Sequence, residues 1–211
     1  VTSDPRGNWM QTATGRKFYP SDPRAEDICI DDIAHALAHV CRFGGHTPAH
    51  YSVAQHSVFV SQVVEQLGGS AEEVRYGLLH DASEAYLGDV VWPLKRCPEM
   101  AGYRALEKRV EAAIEERFGL PAEMPAIVKH ADLVLLATEK RDVMGHDQSS
   151  GREAAAARAR LGSWHCDVVQ PVKWQILPLP AETARRLFLS RWAALEPHGV
   201  AQRPLEASHA V

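Results

Sequence analysis

The sequence predicts an all-α fold with a short β-hairpin ahead of its first helix. Three observations carry this. Apolar residues recur at helical spacing through most of the chain after residue 30. Ser70 and Glu73 stand at the spacing of a capping box. Only residues 8–19, NWMQTATGRKFY, mix β-formers around a Thr-Gly turn signal.

The elements follow in order. Asp31 or Asp32 is placed to cap a first helix, on which Ile33, Leu37 and Val40 share a face. RFGGHTPAHY, residues 42–51, is a Gly/Pro break. Ser52 to Leu67 reads as a second helix with Val53, Val60, Val63, Val64 and Leu67 as its buried stripe, stopped by Gly68-Gly69. The Ser70/Glu73 box opens a third helix through Leu78 and Leu79 that carries or ends in His80-Asp81. Tyr103 to Phe118 is amphipathic, with Leu106, Val110, Ala113, Ile114 and Phe118 on one side and Gly119 as its stop. Pro125 starts another helix that runs to about Met144. A polar loop (145–153), an Ala/Arg-rich helix with a solvated Arg152–Arg160 face, an irregular stretch (166–177) and a last helix (Ala181–Leu195) complete the chain, with a loose tail after Pro197. Trp164, Trp174 and Trp192 read as core residues.

Composition limits what this protein can be. Its 211 residues suffice for one domain with its own core. A net charge of −4 argues against a nucleic-acid coat or a polybasic membrane binder. No stretch reaches the ~18 apolar residues of a membrane span; the longest, Ile127 to Met144, is interrupted by Lys129, Asp132, Glu139 and Lys140. The opening residues, VTSDPRGNWM, show no secretory pattern. Cys29, Cys41, Cys97 and Cys166 form no C-x-x-C, so a reduced, cytoplasmic protein is expected. Neither phosphate-loop glycine motif occurs, and His35/His39 (HALAH) lack the glutamate of a zinc-protease helix.

Four residues stand out: His56, His80, Asp81 and Asp132. Each lies on, or at the end of, a predicted helix otherwise rich in apolar residues, where an ionisable group is costly unless paired or metal-bound. Two imidazoles and two carboxylates from three helices make a mixed N/O donor set suited to a divalent transition metal. Adjacent helical residues splay by about 100°, so His80 and Asp81 can share an ion only where the helix faces a cleft or bends.

The H…HD…D pattern in helical context resembles the HD-domain metal-dependent phosphohydrolases. HDASEAYLGDVVWPLK, His80 to Lys95, carries the HD-x-x-E-x4-D arrangement of the HD-domain 5′-deoxynucleotidases, and Arg42-Phe43 is similar to their Arg-aromatic pair. The compact deoxynucleoside triphosphate phosphohydrolases are similar as well. The resemblance covers roughly residues 9–145. It implies a compact HD-domain helical bundle spanning 1–211, with an N-terminal arm (1–27), a core of about 28–147 and a C-terminal helical segment (152–196).

The resemblance further implies that His56, His80, Asp81 and Asp132 bind one ion of Mn, Co, Zn, Fe or Ni. The mononuclear expectation rests on His130 being the only other histidine between Asp81 and Asp132. Glu84 would transfer a proton or orient water, and Asp89 would act at the leaving-group side. Arg42 would clamp phosphate, Phe43 would flank sugar or base, and Lys95 would reach a further phosphate. Phe43 departs from the Trp often found there, and the N-terminal arm, with Arg16 and Lys17, is longer. The expected activity is that of a (deoxy)nucleoside 5′-monophosphatase or dNTP phosphohydrolase. A cyclic-nucleotide phosphodiesterase and a non-catalytic nucleotide or metal sensor are the alternatives. The expected partner is a small nucleotide substrate, with no stable nucleic-acid complex, no membrane and a homo-oligomeric state.

Overall fold

The computed structural model describes residues 4–144 and 164–196. The expected all-α architecture with an N-terminal hairpin is borne out. Strands β1 (Met10–Gln11) and β2 (Lys17–Phe18) pair antiparallel, Met10 opposite Phe18. The helices are α1 (Ile30–His39), α2 (Val53–Gln66), α3 (Ala71–Leu79), α4 (Glu84–Leu87), α5 (Trp92–Lys95), α6 (Ala101–Phe118), α7 (Ala126–Asp142) and α8 (Ala181–Leu195). The loop and helix expected between 145 and 160, and the tail after Pro197, lie outside the described residues. Among the described residues, no helix is long and apolar enough to cross a membrane. The four cysteines are free thiols.

Helix α2 is the central element and packs against α1, α3, α7 and α8. Ser52 caps it by accepting a hydrogen bond from the Gln55 amide. Its valines bury on one side against α7, while Val53, Ala54 and Val58 join the cluster around α1 and α8. The approach of α3 is close enough that a Cβ on Gly77 would stand 3.2 Å from Ser61 Cα, so a side chain there would force the helices apart. The buried Gln55 side chain accepts from Leu179 N (2.9 Å) and donates to Leu177 O (2.8 Å), tying the strand-like lead-in of α8 to α2.

Asp31 and Asp32 do not cap α1. The helix starts two to three residues earlier, at Ile30, with Cys29 at its N-cap and no side-chain cap bond. The buried Asp32 carboxylate instead accepts from Thr14 N (2.7 Å) and Thr14 Oγ1 (2.9 Å), which fastens the hairpin to the helix. Phe18, fully buried, stacks on Tyr86 at 4.0 Å. The N-terminal arm is thereby part of the packed body, and Lys17 lies on its outer side near Asp4. Trp192 is a core residue, packed edge-on against Phe118, and Trp174 packs on Phe59. Trp164 departs from the core reading: it is half-buried beside Phe43, with ring centroids 6.1 Å apart.

Candidate metal centre

His56 lies one turn into α2, and its ring is fully buried. His80 is the C-cap of α3, after which the chain turns through Asp81, Ala82 and Ser83 before α4 begins. That break resolves the splay problem: the helix ends at the dyad, so neighbouring side chains swing toward one centre. The Nε2 atoms of His56 and His80 are 3.3 Å apart, and Asp81 Oδ2 lies 3.4 Å from the first and 3.2 Å from the second. Asp132, from α7, brings its Oδ1 to 3.3 Å from His56 Nε2. Its side chain is the most open of the four, at 39% exposed.

The hydrogen bonds behind the rings fix which nitrogen faces inward. His56 Nδ1 is 2.7 Å from the Glu139 carboxylate and His80 Nδ1 is 2.9 Å from the Gly77 carbonyl, both acceptors. Each ring therefore donates outward from Nδ1 and turns a lone pair inward from Nε2. Two imidazole lone pairs and the Asp81 carboxylate converge, all acceptors, and Asp132 stands beside them against His56. A cation answers that arrangement. An ion bound at about 2.0–2.2 Å would place neighbouring ligands roughly 3.0–3.5 Å apart, the spacing of this triangle of His56, His80 and Asp81. The donor set thus fits a divalent transition metal.

Charge follows the same logic. In the absence of an ion the same acceptors draw a proton onto His56: burial and the Arg42 charge oppose it, but Glu139 and Asp132 outweigh them and push its pKa up to about 9, so a bound cation would take that proton's place at Nε2. Burial works against ionisation of Asp81, yet His80, His56 and Arg42 hold its carboxyl far below the usual range. Asp132 is lowered by the His56 contact against its own burial.

Glu139 is the residue the sequence reading missed. It is fully buried on α7. It accepts from His56 Nδ1 (2.7 Å), Tyr51 OH (2.8 Å) and Arg42 Nη2 (3.1 Å), and the Arg42 and His56 charges keep it ionised despite burial. The available signal was its position seven residues, about two helical turns, after Asp132.

The remaining predicted residues are arranged unequally. Arg42 is drawn inward, with Nη2 on Glu139 and Nη1 3.5 Å from Asp81, and its buried Nε has no partner among the described residues. Two of its five donors are thus engaged beside the centre, and the others remain for an anion. Phe43 has φ 57, a conformation costly for a bulky residue, between Arg42 and two left-handed glycines. Glu84 is 6% exposed, and its Oε2 has no partner among the described residues. Burial, then the Asp81 and Asp89 charges, raise its pKa well above the carboxylate norm. Asp89 is half-buried and shifted the same way, chiefly by burial. Lys95 is paired at 2.7 Å with Glu107 of α6. His35 and His39 lie side by side with their rings tilted, centroids 4.5 Å apart, exposed on α1.

The fold and site define a helical protein with, among the described residues, an interhelical His/His/Asp group that could hold a divalent metal. No family model matches the chain. It is 44% identical over 143 residues to the uncharacterized protein YfdR of Escherichia coli (strain K12), a match covering 68% of this chain and 76% of that protein. It is also 40% identical over 149 residues to an uncharacterized protein of Rhodobacter capsulatus, covering 67% of this chain and 76% of the relative. The chain belongs to the family of these two proteins.

Proposed function

We propose that this protein is a metal-dependent phosphohydrolase of the HD-domain kind that acts on deoxynucleotides, removing phosphate from a 5′-monophosphate. The observation that carries the reading is the convergence of His56, His80 and Asp81, with Asp132 3.3 Å from His56, near a buried carboxyl, Glu84, whose pKa burial raises. A divalent ion held there would polarise a phosphoryl oxygen and lower the pKa of a water.

The chain's own groups do the rest. Arg42, anchored by Glu139, directs its free donors toward the phosphate oxygens and neutralises charge that builds on them. Glu84, buried three residues past Asp81 with its pKa raised by that burial, is the group that would pass a proton to the departing nucleoside oxygen. Asp89, facing the same charges as Glu84, orients the leaving-group side. Phe43, held in its costly backbone conformation next to Arg42, sets an aromatic wall where the sugar follows the phosphate.

A panel of NMPs, dNMPs and dNTPs with Mn, Co, Zn and Mg, read by chromatography, tests the assignment. Phosphate released from dNMPs is expected. Metal-loaded protein that leaves every nucleotide intact would overturn the reading in favour of a sensor. Glu84→Gln should keep the bound metal and lose hydrolysis by roughly 10²–10⁴-fold; near-normal turnover would move the proton-transfer role to Asp89. Phe43→Ala should narrow the preference for deoxy over ribo substrates, measured as kcat/KM on matched pairs. That preference arises if an apolar ring leaves the ribose 2′-hydroxyl unpaired, at about 1–3 kcal/mol.

A further inference from the structure

A cavity of about 130 Å3 lies between α3, α6 and the loop that leads into α7, with the His80 ring as part of its wall. His80 thus faces the metal centre with Nε2 and this cavity with its flank, so the two spaces adjoin. Glu111 on α6 senses the Asp81 charge, which places that helix within electrostatic reach of the centre. The floor is apolar, built from Leu79, Ile114 and Leu120. The polar groups are Tyr76, Ser83, Glu111 and Glu115.

Their hydrogen bonding is incomplete. Glu115 Oε1 accepts from Tyr76 OH at 3.2 Å. Ser83 is only 3% exposed and occupies the N-cap of α4, yet its hydroxyl makes no capping bond. Glu111 is half-buried, with burial and the neighbouring Glu107 and Glu115 charges raising its pKa. A buried hydroxyl that makes no capping bond and a half-buried carboxyl on the wall of one cavity mark a place for a ligand's polar edge.

The charge pattern assigns the ends of that ligand. Arg42 and the metal site attract an anion, whereas Glu111 and Glu115 repel one. A phosphate therefore belongs at the metal, and the uncharged end of the same molecule belongs in the cavity. Size narrows the choice. An engineered cavity of about 150 Å3 takes one benzene ring, so this one suits a single six-membered ring and not a purine. Hydrogen-bond polarity narrows it again. Two carboxylates can accept both hydrogens of cytosine's exocyclic amine, whereas thymine offers them a single N3–H flanked by two carbonyl oxygens that they repel. We infer that this cavity is a base pocket that selects a single-ring, amino-bearing base, so that the preferred substrate is a cytosine deoxynucleotide.

The inference rests on the nucleotide phosphohydrolase reading, and its test is separable from it. Binding of deoxycytidine and thymidine, which carry no phosphate to hydrolyse, is measured by NMR titration of the metal-loaded protein. Deoxycytidine is expected to bind about tenfold more tightly or better. Glu111→Gln should bring the two affinities together, and Ser83→Ala should weaken deoxycytidine by several-fold. Equal affinities in the wild type, or a preference unmoved in both variants, would overturn the base pocket even if dNMPs are hydrolysed. In the hydrolysis panel, dCMP should exceed dTMP and dAMP in kcat/KM by a similar factor. Hydrolysis without that order would also count against the pocket, whereas no hydrolysis at all would strike the phosphohydrolase reading and leave the nucleoside titration to decide the cavity.

Discussion

Replacing His80 or Asp81 by alanine is expected to remove the bound metal and to cut hydrolysis by roughly 10³-fold or more, since the ion is asked for several kcal/mol of barrier lowering. The two residues supply two corners of the three-atom face on which the ion would sit, with edges of 3.2–3.4 Å. Neither loss can be made good by a neighbour. Gly77 offers only a carbonyl already used by His80, and Arg42 would advance a positive charge into the gap. Metal content per chain, measured after purification without chelator, should fall from about one in the wild type to near zero. Two ions per wild-type chain would contradict a mononuclear centre. The fold should survive, because His80 and Asp81 lie at the end of α3 and outside both apolar clusters. Unchanged metal content in both variants would remove the centre from this site.

The proposed ligands were legible because they break a rule. His56, His80 and Asp132 interrupt apolar helical faces, and such interruptions demand a partner. The helices were legible for the converse reason, since their apolar stripes and the Ser70–Glu73 capping box agree with the packing that α2 and α3 make. What was hidden depends on contacts distant in the chain. Asp32 looked like a cap because Asp favours that position, and only the folded hairpin reveals Thr14 as its partner. Lys95 looked available because Glu107 is brought to it by α6. The base cavity has no local pattern, being closed by side chains from α3, α6 and the loop before α7. Glu139 sits just before Lys140 and Arg141 and reads as the charged end of a helix, yet its side chain turns fully inward.

That inward carboxylate should be the most sensitive single position for stability. Glu139 satisfies three groups at once: the His56 imidazole, the Tyr51 hydroxyl and the Arg42 guanidinium. Glu139→Ala removes all three partners and leaves Arg42, whose side chain is 12% exposed, with only the longer contact to Asp81. Breaking a buried ion pair from one side costs about 3–5 kcal/mol. For a chain of this size that is a fall in Tm of roughly 6–20 °C. Glu139→Gln separates position from charge. The amide oxygen can still accept from His56 Nδ1 and keep Nε2 pointed inward, while the lost negative charge leaves Arg42 less well held. Metal affinity should then drop by about 10–100-fold, the usual consequence of disturbing a partner behind a ligating histidine, with a smaller loss of Tm than in the alanine variant. A merely structural Glu139 would lower Tm in both variants and leave the affinity of the folded Gln protein for Co or Zn unchanged. A positioning Glu139 lowers that affinity even at temperatures where the protein is fully folded. Calorimetric titration of the folded Gln variant with Co, alongside its melting curve, separates the two.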